Sequence, residues 1–481
     1  MIRILLLLSS MIFGFKVSSQ HVIPKLKSEV IATIVSYEDS LIFLSDQVWA
    51  YAETALLEYR SSALLAEFAE RQGFEVKIGI AGMPTAFTAE FGTGKPIIGI
   101  LGEYDALPGI SQKALPTKEP LEEGAAGHGC GHNLFAPASL GAAMAIKDLI
   151  EAGEISGTIR FYGTPAEEAV GGKIYLARDG YFDDLDACLD WHPDTETKAN
   201  VQSSQAMIDL SIEFFGAAAH AAYDPWNGRS ALDAVEAFTA GVNAYREHIR
   251  PSSRIHYVIT DGGDVPNVVP EYSKVWIWAR DSKRSVVADL DKRIRQIAQG
   301  AALMADVDYK VSLNSGDYEL LVNRTGATAL HKNLEMLGSI HFTDEELAFA
   351  KQIQKETGGS PDGLDGSLKP LEETREHPEG GSTDVGDVSW VVPQISLVVT
   401  TAPVDTPWHS WAVVACSGMS IGHKGMIYAA KAMAMTMIDL FQDEELRDAI
   451  RKEFLEKKGD HQFEAMIPDG PPPIPGKKSL R

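Results

Sequence analysis

Residues 207–215 read Met-Ile-Asp-Leu-Ser-Ile-Glu-Phe-Phe. Ile208, Leu210, Ile212 and Phe214 alternate with Asp209, Ser211 and Glu213, the period-two pattern of a half-buried strand. Working downstream, the spacing predicts a helix over 229–248, strands at 255–260 and 272–280, a helix over 285–303 and a strand at 306–314. That order, β-α-β-β-α-β, is the split arrangement of a ferredoxin-like module.

The flanks follow a different rule. Upstream, apolar spacing is helical from 28 to about 71, and strand-like runs follow at 74–80, 85–91 and 96–102. Residues 133–152 read as a helix, 157–163 as a strand, 172–179 as a helix and 186–191 as a strand. Downstream, a loop rich in Gly, Pro and charge (357–382) precedes a strand at 395–400 and a long helix at 421–442. Strands alternating with helices predict an α/β domain whose site gathers beyond the strand C-termini. The expectation is therefore a two-domain α/β chain. A mixed-sheet α/β domain in two parts, 21–205 and 317–467, carries the ferredoxin-like domain inserted at 206–316. A Pro-rich tail, 468–481, is expected to be loosely ordered.

The chain has 481 residues, 45% hydrophobic and 23% charged, as ordinary globular proteins do. Its 67 Asp and Glu against 43 Lys and Arg give a net charge of −24. Such a surface repels phosphate backbones and anionic lipid, so neither nucleic acid nor membrane is an expected partner. Three cysteines cannot form a disulfide framework and leave one thiol over. Residues 4–15 (ILLLLSSMIFGF) follow Arg3 and precede Val17-Ser18-Ser19-Gln20. That is the layout of a signal peptide over 1–20, with an apolar stretch too short to span a bilayer. It predicts export to the periplasm or medium.

Four groups of reactive residues stand out, three of them just after predicted strands. Gly102-Glu103-Tyr104-Asp105 follows the strand PIIGIL. Gly127-His128-Gly129-Cys130-Gly131-His132-Asn133 opens a helix, placing a soft sulfur beside an imidazole with little steric cover, a donor pair for a divalent ion. Thr164-Pro165-Ala166-Glu167-Glu168 sets two carboxylates at a strand end, and Asp190-Trp191-His192-Pro193 ends another strand. Far downstream, Thr406-Pro407-Trp408-His409-Ser410 adds a loop histidine. A donor set of Cys, His and Glu with a spare Glu suits a two-metal hydrolase. No Walker loop, Rossmann fingerprint, zincin helix or nucleophile-elbow serine is expected.

GEYDALPG, GHGCGHN, GTPAEEAVGGK, DWHP and FFGAAAHAAYDPWNGRSALDAVEA, in this order, resemble the amidohydrolase branch of the M20 family of metallopeptidases. The likeness runs from about residue 25 to 450. It implies an α/β metallohydrolase domain with two divalent ions per chain (zinc or manganese, with cobalt also accepted), and it makes the inserted domain a lid that dimerises. Carried over, the resemblance makes Cys130, His132, Glu168, His192 and His409 metal ligands and Glu167 the general base. Asp105 becomes the group that orients a ligand histidine. His220 is implied to stabilise the oxyanion in the partner's site, and Asn267 and Arg280 to hold the substrate's carboxylate. One departure stands out: Glu103 replaces the ligand His of most family peptidases, and Cys130 compensates in this branch. Cys188 and Cys416 read as structural.

The implied reaction is hydrolysis of an amide between an acyl or aroyl group and an amino acid. Its substrates are small molecules bearing a carboxylate, of the aminobenzoyl-glutamate or N-acyl amino acid kind. The implied assembly is a homodimer or a heterodimer with a similar chain. Two other readings are a di- or carboxypeptidase of the same family and a non-catalytic, metal-stabilised binding protein.

Overall fold

The computed structural model describes residues 23–475 apart from 376 and 379. The signal-like segment 1–20 and residues 476–481 lie outside the described residues. Lys25–Tyr51 (α1) and Tyr59–Arg71 (α2) replace the single helical run expected over 28–71. The break falls where Ala52 and Leu56 take left-handed φ values of 44° and 60°, which an α-helix cannot continue through. Buried Glu58 ties the turn by accepting the Leu56 N–H at 2.9 Å.

The strands Glu75–Ile78 (β1), Phe87–Gly92 (β2) and Ile97–Glu103 (β3) come next. His132–Glu151 (α3), Thr158–Thr164 (β4), Gly172–Arg178 (α4), Ala187–Asp194 (β5) and the short Lys198–Ala199 (β6) follow. Then come Ala206–Phe215 (β7), Ala231–Arg246 (α5), Arg254–Asp261 (β8), Tyr272–Asp281 (β9), Arg284–Ala305 (α6) and Asp308–Asp317 (β10). The chain continues through Arg324–Leu337 (α7), Asp344–Glu356 (α8), Val385–Ser389 (α9) and Gln394–Thr400 (β11). Trp411–Ser417 (α10), Ser420–Gln442 (α11) and Glu444–Lys458 (α12) complete it.

Seven strands form one mixed sheet in the order β1-β2-β4-β3-β5-β11-β6. Its central strands β4, β3, β5 and β11 are parallel, so their C-terminal residues Thr164, Glu103, Asp194 and Thr400 reach one edge. The β3 sequence, nearly all apolar, matches a strand covered on both faces. Buried α3 and α11, rich in Ala, Leu and Met, supply much of that cover.

The second sheet runs β10-β7-β9-β8, all antiparallel. It has its own core: Leu210, Ile212 and Phe214 of β7 and Val275 and Ile277 of β9 pack with Phe238 of α5 and Ile294 of α6. Asp209 and Ser211, expected to face solvent, are buried as well. The reason is local: Asp209 Oδ1 accepts from Trp276 Nε1 at 2.6 Å and from Asn314 Nδ2 at 2.8 Å. The tail also departs from expectation. Arg178 Nη1 donates to the Gly470 carbonyl at 2.7 Å and Pro472 is buried, so residues 468–475 lie against the main domain.

Candidate metal centre

The four parallel strand ends bring the reactive motifs to one place. Cys130, His132 and His192 offer ligand atoms within 4.8 Å of one another, and so do Cys130, Glu168 and His409. Cys130 belongs to both groups. A third group, Glu103, His132 and Glu167, adjoins them. All but His132 line a cavity of about 480 Å³, together with Trp408 and Thr383.

Local geometry explains how each donor is aimed. Gly131 caps α3 with φ 76°, a left-handed value that glycine takes without strain; it turns the chain so that Cys130 and His132 flank the helix start. His132 Nδ1 lies 3.0 Å from Asp105 Oδ1, which leaves Nε2 toward the cluster. His192 Nδ1 lies 2.7 Å from the Pro193 carbonyl, and its Nε2 is 3.3 Å from Cys130 Sγ. Holding the far nitrogen in this way fixes a ligand imidazole's tautomer and orientation. Asp105 Oδ2 accepts the Glu168 N–H at 2.9 Å, so one carboxylate sets both an imidazole and a carboxylate. His409, at φ 54°, lies 3.5 Å from Glu168 Oε2.

Glu103 Oε2 and His132 Nε2 lie 3.1 Å apart, a charge pair only if the imidazole is protonated, and these two atoms and Glu168 Oε1 are buried without a bond of hydrogen-bond geometry. Buried polar atoms are rarely left this way, and three converging on a thiol and two further imidazoles fit a pair of soft-to-borderline divalent ions. Burial, with Glu103 and Glu168 beside it, pushes Glu167 well above the usual carboxylate range. Burial pushes Glu168 up to about 7 and the Cys130 thiol up to about 12.

Three supporting residues have no counterpart in the sequence reading. Lys173, fully buried, bridges Glu103 Oε1 and Asp384 Oδ1 at 2.6 Å each. That pairing gives Glu103 a contact an imidazole would not make: its Oε1 accepts from the buried Lys173 ammonium. Glu58 Oε1 accepts the Ala166 N–H at 3.0 Å and Oε2 accepts from Thr85 Oγ at 2.9 Å. Ala166 has φ 64°, a strained value for a residue with a Cβ, and it immediately precedes Glu167. The one hint in sequence was Lys173 in GGK, a charge beside glycines at a helix start.

The remaining expected site residues lie elsewhere. His220 is exposed on the loop after β7, bridged to Val268, with the Ala221 N–H 3.0 Å from the Asn267 carbonyl. Asn267 precedes β9, whereas Arg280 closes it. Eight strand residues at ~3.4 Å each separate the two ends by about 27 Å. Asn267 and Arg280 therefore cannot hold one carboxylate within one chain. Arg280 lines a separate cavity with Trp276 and Trp278.

Residues 99–335 match the model of Peptidase family M20/M25/M40. The chain is 39% identical over 463 residues to a subunit of the p-aminobenzoyl-glutamate hydrolase of Escherichia coli K12, covering 90% of this chain and 96% of that protein. The chain belongs to peptidase family M20/M25/M40. It is 30% identical to the Xaa-Arg dipeptidase of Homo sapiens, over 87% of this chain and 90% of that one. The dinuclear metal-binding M20 peptidase YXEP of Bacillus subtilis superposes with a TM-score of 0.58 at 16% identity, covering 85% of this chain and 99% of its own.

The M20 chain is thus a hydrolase of amide bonds, in a metallopeptidase family, and not a serine hydrolase. One Gly-x-Ser-x-Gly spelling, Gly418 to Gly422, does occur and corrects the expectation that none would. It joins two helices, α10 and α11, and Ser420 Oγ donates to Glu346 Oε1 at 2.6 Å. A nucleophile elbow needs a strand before the serine.

Proposed function

We propose that this chain is a metal-dependent amidohydrolase that cleaves the amide joining an acyl or aroyl group to an amino acid. The observation that carries the reading is the double donor set sharing Cys130, with Glu167 at its edge. Cys130, His132 and His192 would hold one divalent ion and Cys130, Glu168 and His409 the other, zinc or manganese with cobalt accepted. The chemistry that ions held there would supply is activation of a water and polarisation of the amide carbonyl. Glu167 takes the proton of the attacking water and passes it to the leaving nitrogen. Asp105 keeps His132 in the tautomer that presents Nε2.

His220 and Asn267 act in a partner's site, where the imidazole donates to the developing oxyanion; Arg280 serves its own chain. Exposed Tyr223, Trp226, Val265 and Val268 around His220 support a partner there, since clustered apolar surface marks contact sites. The partner is a second copy or a similar chain, in keeping with a relative named as part of a multi-chain hydrolase. We also propose export with loss of residues 1–20; N-terminal sequencing from the native host should start near Gln20 or His21, and an intact Met1 would refute it.

The likeness to a dipeptidase favours a second reading, in which the acyl group is itself an amino acid. A panel of N-aroyl amino acids and dipeptides separates the two. Glu167→Ala should abolish turnover while elemental analysis still finds two ions per chain. Substantial retained turnover would remove Glu167 from the base role, whereas a parent protein that holds two ions and cleaves no member of the panel would leave a non-catalytic binding protein as the better reading.

A further inference from the structure

The face of the second sheet opposite α5 and α6 carries two arginines on one rung. Arg254 of β8 is the register partner of Arg280 of β9, so both side chains leave the same face with Cα atoms about 5 Å apart. Like charges directly opposite destabilise a sheet. Neither guanidinium has an ion pair among the described residues. Arg254 Nη1 donates to the carbonyls of Pro251 and, at 2.7 Å, Ser253; Arg280 stacks on Trp278 at 5.0 Å.

Two carboxylates face the pair from this sheet. Asp209, one rung away opposite Trp278, is taken up by Trp276 and Asn314. Asp317 is buried at the end of β10, beyond Met207. The opposed guanidiniums thus keep unused donors toward a cavity of about 600 Å³, walled by Trp276, Trp278 and His256. Trp278 Nε1 is itself buried without a partner. The cavity ends at Gly380, and Gly381, Ser382 and Thr383 directly continue into the wall of the cavity that holds Cys130.

We infer that Arg254 and Arg280 together clamp the two carboxylates of a dicarboxylic amino acid, and that Arg254 sets this specificity. The inference rests on the amidohydrolase reading above. Arg280 meets the carboxylate that any amino-acid product carries, and Arg254 meets the one on its side chain. A neutral side chain leaves one guanidinium opposed by another with nothing between them. A cationic one is repelled by both.

The test compares kcat/KM on N-benzoyl-glutamate, -glutamine and -arginine. Losing one charge-assisted hydrogen-bonded contact is worth roughly 10- to 100-fold, so glutamate should exceed glutamine by that factor and arginine by more. In Arg254→Met the glutamate-to-glutamine ratio should fall toward one, with the loss appearing as a raised KM for the glutamate substrate. Arg254→Lys should recover part of it. Equal use of glutamate and glutamine by the parent, or a ratio that survives Arg254→Met, overturns the clamp. Arg254 is exposed, and circular dichroism checks that each variant folds; Arg254→Gln replaces any that does not. If no benzoyl amino acid is cleaved, the amidohydrolase reading fails. The clamp is then read by calorimetry on metal-loaded protein with glutarate and butyrate. Tighter glutarate binding that disappears in Arg254→Met supports it, and equal binding of the two refutes it.

Discussion

Among the described residues Glu58 has no cationic partner, yet its carboxyl organises the backbone that presents Glu167. Burial, and then the nearby Asp105 charge, push it up to about 8 from an ordinary 4.5. The unfolded chain ionises this group above pH 4.5 while the folded protein keeps it protonated. Its contribution is therefore full below pH 4.5 and is lost as pH rises through 8. Glu58→Gln keeps an oxygen for the Ala166 N–H without a titrating proton. Its melting temperature should decline less than the parent's between pH 4.5 and 8; parallel declines would clear Glu58 of that role. The sequence made Cys130, His132, Glu167 and Glu168 legible because each sits in a short motif beside a glycine or a strand end. Glu58 meets Ala166 across 108 positions and Lys173 meets Asp384 across 211, and no local pattern announces such pairs.

Among the elements, α4 shows how the site is anchored to the rest of the sheet domain. Its Lys173 ties β3, through Glu103, to the Asp384 that begins α9. Removing one member of a buried ion network leaves the others uncompensated, typically on the order of 3–5 kcal/mol. Lys173→Met should lose stability of that size in urea unfolding of the metal-loaded protein; a change below about 1 kcal/mol would mean that the three groups do not act as a buried ion network. The strands were legible because alternation and apolar runs survive in short windows, and β7 to β10 matched to within three residues. Helix α12 was not: only Ile450 and Phe454 are buried along it, too few to mark a face. Helix α8 carried a readable signal, the Thr343–Glu346 capping box, which its weak apolar face obscured.

At the scale of the whole molecule, the separation of His220 and Asn267 from Arg280 decides what a complete site requires. Mixing inactive His220→Ala with inactive Glu167→Ala under conditions of protomer exchange should restore activity. One site of each mixed dimer then carries both defects and the other carries none. If exchange is demonstrated and activity stays absent, His220 does not act in trans. This division was only half legible: the order of elements predicted the inserted sheet, but which end of a ten-residue strand meets which chain depends on packing that sequence does not encode locally.

All three cysteines are free and buried, and Cys130 borders the cavity of the metal centre. Cys188 sits in β5 and Cys416 in α10, both inside the hydrophobic interior. An alkylating reagent therefore has one target per folded chain, and that target is the sulfur shared by both donor groups. Protein stripped with a chelator should take up a single iodoacetamide label, mapped by mass spectrometry to Cys130, at a rate that rises with alkaline pH as the thiol ionises. Restoring the ions beforehand should block the label, which turns the reagent into a gauge of loading that needs no substrate. Labelling at Cys188 or Cys416, or labelling indifferent to added ions, would show that the sulfur is not where the ions sit.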